Sequence, residues 1–456
     1  MRITNPLAVL ASLCILFPAA AIAGLLTDPP PGGGGGVPEG PAVRPTDARF
    51  APYAPDPDHP WNRLHQALFV REAADGSRFV HSTDPLLYRG GRFLLEGEPH
   101  RRAVTLLDQF LAGPGDRPID DPLKRLFFQR DLWSAFDYAA WYPDEWVFRS
   151  RYEPAAVALR TRLGRAVGRL ALGDRELAAL PDNYALAVRS KQYPAAHDPQ
   201  HPGRPFLPPD LFDPAGPWVR FHHASVEAKP MTRRHFDGAG GRAVHVVFLR
   251  LPGGRAATEQ YLKELRPEEP FLNEVHRHSV KQFPPGTIVA MVRRALTVDR
   301  SAKVRVTPVT ELVQIRVYRR IPQDPEANLH GDFGEQDAYE FVLDRAALFA
   351  GRHGLRAVGP EDPAEPLFER HEGADPFERT RAPLTPGMPQ LKTCIQCHQA
   401  PGVYSLLSME RGLCANPGGP REIFRTYAWD VEMSYTVGAK VGQFDWGLLQ
   451  GKLEAR

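Results

Sequence analysis

Between Pro99 and Gln192 apolar residues recur three and four positions apart, the spacing of a helix with one buried face. Arg102–Leu111, Leu123–Trp141 and Pro154–Leu172 each carry this stripe, and Asp174-Arg175-Glu176 after Gly173 opens a further short helix. The second run holds Phe127, Phe128, Trp133, Phe136, Tyr138 and Trp141, which read as a helical core. Asp131, Asp137 and Asp144 show no metal-ligand clustering and read as a solvated face. From Tyr193 to Phe212 the chain is a proline-rich connection, where Asp198-Pro199 and His201-Pro202 deny His197 and His201 a shared helix on which to hold a metal. His222 and His223 are adjacent, and adjacent strand residues point to opposite faces.

The period then changes from helix to strand. Ala243–Leu251 is a β-type run, Ala256–Leu265 is helical, and Gly286–Val292, Thr310–Tyr318 and Ala338–Leu343 are further strands, the first of them after the turn Pro284-Pro285. Strands mixed with short helices, without a βαβ rhythm, predict an α+β fold. The expected order is a mainly helical N-terminal region followed by an antiparallel β-rich domain with short helices.

The N-terminus adds a compartment. Arg2 precedes an apolar run from Pro6 to Ala23 that ends in Ala21-Ile22-Ala23, the form of a Sec-type signal peptide cleaved after Ala23. Leu13 stands where a lipoprotein signal wants a small residue before Cys14. Residues 24–60 are rich in Pro and Gly, including Gly32 through Gly36, and are expected to form a disordered tether. The organisation is therefore a signal over 1–23, a tether over 24–60, a mainly helical domain over 61–212 and an α+β domain over 213–456. No later run is long and apolar enough to span a membrane, and the destination is periplasmic or secreted. With 56 basic against 54 acidic residues, no overall field favours nucleic acid.

The chemistry concentrates in Cys394-Ile395-Gln396-Cys397-His398. Cys-x-x-Cys-His is the attachment signature of a c-type haem, in which each thiol adds to a vinyl group and the adjacent imidazole becomes the proximal iron ligand. A zinc site would want a second ligand pair at short spacing, and a thioredoxin-like pair has no need of the histidine. One covalently attached haem c is expected, on Cys394 and Cys397, with His398 on the iron. Cys414 is left over and reads as a small buried apolar residue. Covalent haem attachment in bacteria takes place outside the cytoplasm, in keeping with the signal peptide.

An ordinary electron-transfer cytochrome c is small and helical, with its motif near the start. Here the motif follows a mainly β region. The segments AVHVVFLRLP, HRHSVKQFPPGTIVAMVRRAL, QDAYEFVLD and LKTCIQCHQAPGVYSLLSM, between Ala243 and Met409, resemble the cytochrome P-460 and cytochrome c′-beta family, β-rich haem proteins with a C-terminal attachment motif. In the hydroxylamine-oxidising members a lysine five positions after the glycine of Gly-Thr is cross-linked to the haem. Counting from Gly286 reaches Met291, which cannot form that bond. The family's distal acid has no clear counterpart, since Arg316 or its neighbours occupy the comparable strand.

Met291 is thus a distal-side candidate, either ligating the iron or packing beside the porphyrin. Met433 is its rival, Met409 lies too near His398 to wrap over the distal face, and His276, His278, His330 and His371 are further candidates for the sixth position. Three readings follow. The first is a mono-haem redox or electron-transfer protein with a partner protein. The second is an oxidoreductase acting on a small nitrogen compound or peroxide at an open distal site. The third is a binder of a small diatomic gas.

Overall fold

The computed structural model describes residues 49–73, 75–80, 87–88, 91–113, 119–140, 146–223, 242–265, 281–322, 332, 334–362, 375–378, 391, 398, 402–407, 424–426 and 428–454. The signal, most of the tether, Cys394, Cys397, Cys414, Met409, Trp141, Asp144, His276, His278, His330 and His371 lie outside these residues.

The helical region opens with α1 (Pro60–Phe69), which has Pro60 at its first turn, where a missing N–H costs nothing. A small ribbon of β1 (Arg71–Glu72) and β2 (Arg78–Phe79) follows. Then come α2 (Gly97–Ala112), α3 (Pro122–Ala140), α4 (Trp146–Arg169), α5 (Asp174–Ala178) and α6 (Asn183–Ser190). In α2 the buried residues Ala103, Leu106, Leu107 and Phe110 form one stripe, as the spacing predicts. The helix α4 runs through Pro154 instead of starting there.

The main surprise is α3, which is buried on every side between α1, α4, the C-terminal helix and the sheet. Asp131 and Asp137 are therefore not on a solvated face. Each instead meets a buried cation: Arg345 donates to both oxygens of Asp131 at 2.7 and 2.8 Å, and Arg242 donates to Asp137 at 2.7 Å. A charge removed from water is tolerable only when paired in this way. Gln129 is also satisfied, donating to the carbonyls of Val167 and Val298 at 3.0 and 2.8 Å.

Part of the expected tether is folded. Phe50 and Tyr53 are buried, and the Tyr53 hydroxyl donates to Asp131 at 2.6 Å. Two aromatic rings offset the ordering cost of a segment whose composition otherwise favours disorder.

The β region forms a six-stranded antiparallel sheet. Its strands are β3 (Val219–His223), β4 (Ala243–Arg250), β5 (Thr287–Val298), β6 (Val304–Arg320), β7 (Glu335–Leu343) and β8 (Leu355–Ala357), in spatial order β8-β7-β6-β5-β4-β3. The two-residue strand β9 (Phe424–Arg425) adds at the β3 edge. Short helices accompany the sheet: α7 (Gly254–Glu264), α8 (Arg345–Phe349) and α9 (Tyr404–Leu407). Two C-terminal helices, α10 (Trp429–Val441) and α11 (Phe444–Glu454), close the described chain. This is the α+β order expected from the sequence. No described helix is long and apolar enough to cross a membrane.

The two sheet faces have different cores. Val246, Phe248, Ala290, Val292, Val313, Ile315 and Phe341 face the helices and merge with their core. Val247, Leu249, Val289, Met291, Leu312, Tyr318 and Val342 face the other way, where Tyr261 and Leu262 of α7 and Val403 cover them. The alternation of strand side chains makes this division. Arg130 of α3 and Arg293 of β5 both reach the buried Glu311, at 2.7 and 3.0 Å, beside the register shift in the β5–β6 pair.

Candidate functional site

His398 lies half-buried beside the second face. Its Nδ1 is 2.7 Å from the Ser405 carbonyl oxygen, which can only accept, so Nδ1 carries a proton, and in the neutral ring Nε2 then holds the lone pair. That is the tautomer in which an imidazole ligates a metal through Nε2, with its other nitrogen oriented by a backbone carbonyl. The backbone oxygen of His398 accepts a 2.8 Å hydrogen bond from Gln336 Nε2 of β7.

Ser405 is fully buried and fastened in turn. Its hydroxyl donates to the Gly402 carbonyl at 2.8 Å, leaving its oxygen to accept from the Tyr318 hydroxyl at 2.6 Å. The Val403 N–H donates to Gln282 Oε1 at 2.9 Å. Gly402 has φ +54°, and a Cβ there would lie 2.1 Å from the same oxygen, so a side chain at this turn would have to hold a left-handed backbone and displace the Gln282 amide. At the head of β5, Gly286 (φ +85°) donates to the Tyr318 carbonyl at 2.7 Å. The segment after the Cys-x-x-Cys-His motif is thereby held to β6 and β7.

Val403, Leu391 and Leu406 pack into the same apolar cluster as Met291, Phe283, Tyr318 and Ile321. Met291 is buried and opposite Gln314, and Gln314 is opposite Glu340. Directly opposed residues share a face. The sheet therefore presents, beside His398, successive rows about 7 Å apart. Gln336 stands with Tyr318; Ala338 with Arg316 and Val289; Glu340 with Gln314 and Met291; and Val342 with Leu312. Gln314, Arg316 and Glu340 are all buried.

Of the residues singled out in the sequence, His398 and Met291 are thus brought to one face of one sheet. Met433 is not, since it packs in the helix-side core. His197 bonds Asp337 at 3.0 Å, and the exposed His201 bonds Asp198 at 2.7 Å. No group of three metal-ligating side chains occurs among the described residues. Ser405, Tyr318, Gln336 and Gln314 escaped the sequence reading. The only local signal for them was polar residues on alternate positions of strands otherwise apolar on both faces.

Among the described residues, the ring orientation of His398 and the apolar cluster of Val403, Leu406 and Met291 are of a kind that suits a haem; Cys394 and Cys397, which would carry it, lie outside these residues. A separate cavity of about 750 Å³ opens between Phe212, Arg220, Arg294 and Trp429, and none of the residues that hold His398 lines it. There the Arg294 guanidinium lies 4.1 Å from the centre of the Phe212 ring, and burial pulls its pKa below the usual arginine range. No family model, curated protein or solved structure matches this chain.

Proposed function

We propose that the chain is an exported mono-haem c-type protein of redox or electron-transfer function, with thioether bonds at Cys394 and Cys397 and His398 as proximal ligand. Its likeness to the cytochrome P-460 and cytochrome c′-beta family belongs to the same proposal, as does a periplasmic or secreted location. The observation that carries the reading is the 2.7 Å bond from His398 Nδ1 to the Ser405 carbonyl, one residue beyond a haem-attachment cysteine.

When bound, the haem would supply a one-electron couple and an iron that a side chain of this chain can ligate. The protein's own residues do the rest. Ser405 fixes the plane and tautomer of His398, and Tyr318 holds Ser405. Val403, Leu406, Leu391 and Met291 exclude water, and Met291 is the distal-side candidate on the sheet. Met291 has no ammonium group, so the lysine cross-link of the hydroxylamine-oxidising members of that family has no counterpart at this position.

One observation favours a second reading, small-ligand binding or oxidation of a small nitrogen compound. Gln314 and Arg316 put hydrogen-bond donors on the same buried face as Met291, and an iron closed by methionine has no need of them. The optical spectrum of haem-loaded protein, ferric and ferrous, with and without carbon monoxide, separates the two. A low-spin ferric spectrum with a sulfur-to-iron charge-transfer band and no response to carbon monoxide supports electron transfer. A high-spin spectrum that shifts with carbon monoxide supports the second reading.

A further inference from the structure

Seven arginines are buried among the described residues, and six of them stand beside an acid. Arg130 and Arg293 reach Glu311, Arg71 reaches Asp375 at 2.8 Å, Arg242 reaches Asp137 and Arg345 reaches Asp131. Arg294 has Asp182 at 3.6 Å. Arg316 is the seventh. It is 8% exposed, and among the described residues it makes no hydrogen bond or ion pair. Its cross-strand neighbours are Val289 and Ala338, which offer no acceptor. The next acid on its face, Glu340, stands one row further on, opposite Gln314. Tyr318, one row the other way, is committed to Ser405.

The fold has supplied a counter-charge at each of the other six positions, whereas Arg316 is a mostly buried residue whose guanidinium nitrogens still reach water and have no acid beside them, so the fork is open to an anion from outside the chain. Ala338, beside Arg316, carries only a methyl group, and Gln314 follows in the next row of the same face. We propose that Arg316 is an anion seat. Its planar fork takes a small carboxylate-type oxyanion on the sheet face that carries Met291, in the row next to the one that holds His398. The inference rests on the haem reading for the source of that anion, which is either a free ion such as nitrite or formate or a carboxylate arm of the haem itself.

The test uses purified, exported protein and the variants R316Q and R316K. R319Q serves as control, since Arg319 is half-exposed on the same strand and paired with Glu335 and Asp337. Haem content is measured first. Its absence defeats the functional reading alone, because melting temperature against nitrite and formate still reports on Arg316. If the seat takes free anions, they raise the melting temperature and perturb the optical spectrum of the parent protein. Binding then weakens at least tenfold in R316Q, falls between the two in R316K, which keeps the charge but loses the fork, and is unchanged in R319Q. If the anion belongs to the haem, added anions do nothing, while R316Q, unlike R319Q, lowers the reduction potential and the melting temperature of the haem-loaded protein. Parent and R316Q agreeing in anion response, reduction potential and melting temperature would overturn the inference.

Discussion

The hydroxyls of Tyr318 and Ser405 meet at 2.6 Å, and through this bond a strand of the central sheet holds the segment that orients His398. Removing the phenol hydroxyl leaves the buried Ser405 oxygen short of a donor. Tyr318→Phe is expected to cost about 1 kcal/mol of stability, the size of one buried hydrogen bond. Urea denaturation checks the energy. The spectrum of the haem-loaded variant is expected to show a more heterogeneous axial environment, because the carbonyl that fixes the imidazole has lost its support.

Gly402 turns the chain between His398 and Ser405. Its Cβ would fall 2.1 Å from Gln282 Oε1 at a backbone angle of φ +54°. Gly402→Ala therefore forces both strain and the loss of the Gln282–Val403 bond, at an expected cost of about 2 kcal/mol. Thermal unfolding reads this directly. The double variant with Gln282→Ala should recover the steric part only, which separates clash from backbone strain.

Arg345 and Asp131 form a bidentate pair in the helix-side core, with Tyr53 donating to the same carboxylate. Burial alone would push Asp131 up, but Arg345 and its hydrogen bonds hold the carboxyl below the usual range. Arg345→Met strands that charge and is expected to destabilise by about 3–5 kcal/mol. The double change Arg345→Met with Asp131→Leu should recover most of the loss. Denaturant midpoints of the single and double variants test the pair.

Asp137 behaves in the opposite sense. Burial raises its pKa to about 7; Lys440 and Arg242 pull it down, and the neighbouring Asp445 carboxylate adds to the rise. In the unfolded chain the same carboxyl ionises near 4. Between those values the native state holds a proton that the unfolded state has released, so Asp137 makes stability fall as pH rises from about 4 to about 7, by at most about 1.4 kcal/mol per pH unit. Melting temperatures across this window should decline less steeply in Asp137→Asn.

These four sites differ in how far the chain announces them. The helices α2 and α4 and the strands β4 to β7 follow from periodicity, because each buries one face or runs apolar throughout. The surroundings of α3 did not, since a helix enclosed on all sides keeps its charges only through partners as remote in the chain as Arg345, and no local pattern encodes them. Tyr53 and Phe50 were hidden in a proline-rich context, and α10 and α11 have no clear stripe. Cys394, Cys397 and His398 were singled out on spacing alone, and of the three only His398 lies among the described residues. Ser405 lies seven residues from His398, but Tyr318 and Gln336 reach this segment only through the fold, as does the isolation of Arg316.

The most direct measurement is the covalent haem content of the exported chain, from the pyridine haemochrome spectrum and the intact mass of denatured protein. One haem per chain, lost when Cys394 and Cys397 are both replaced by alanine, is the expected result. Denatured protein without haem, in which both thiols titrate freely, would contradict the reading of this chain as a c-type haem protein.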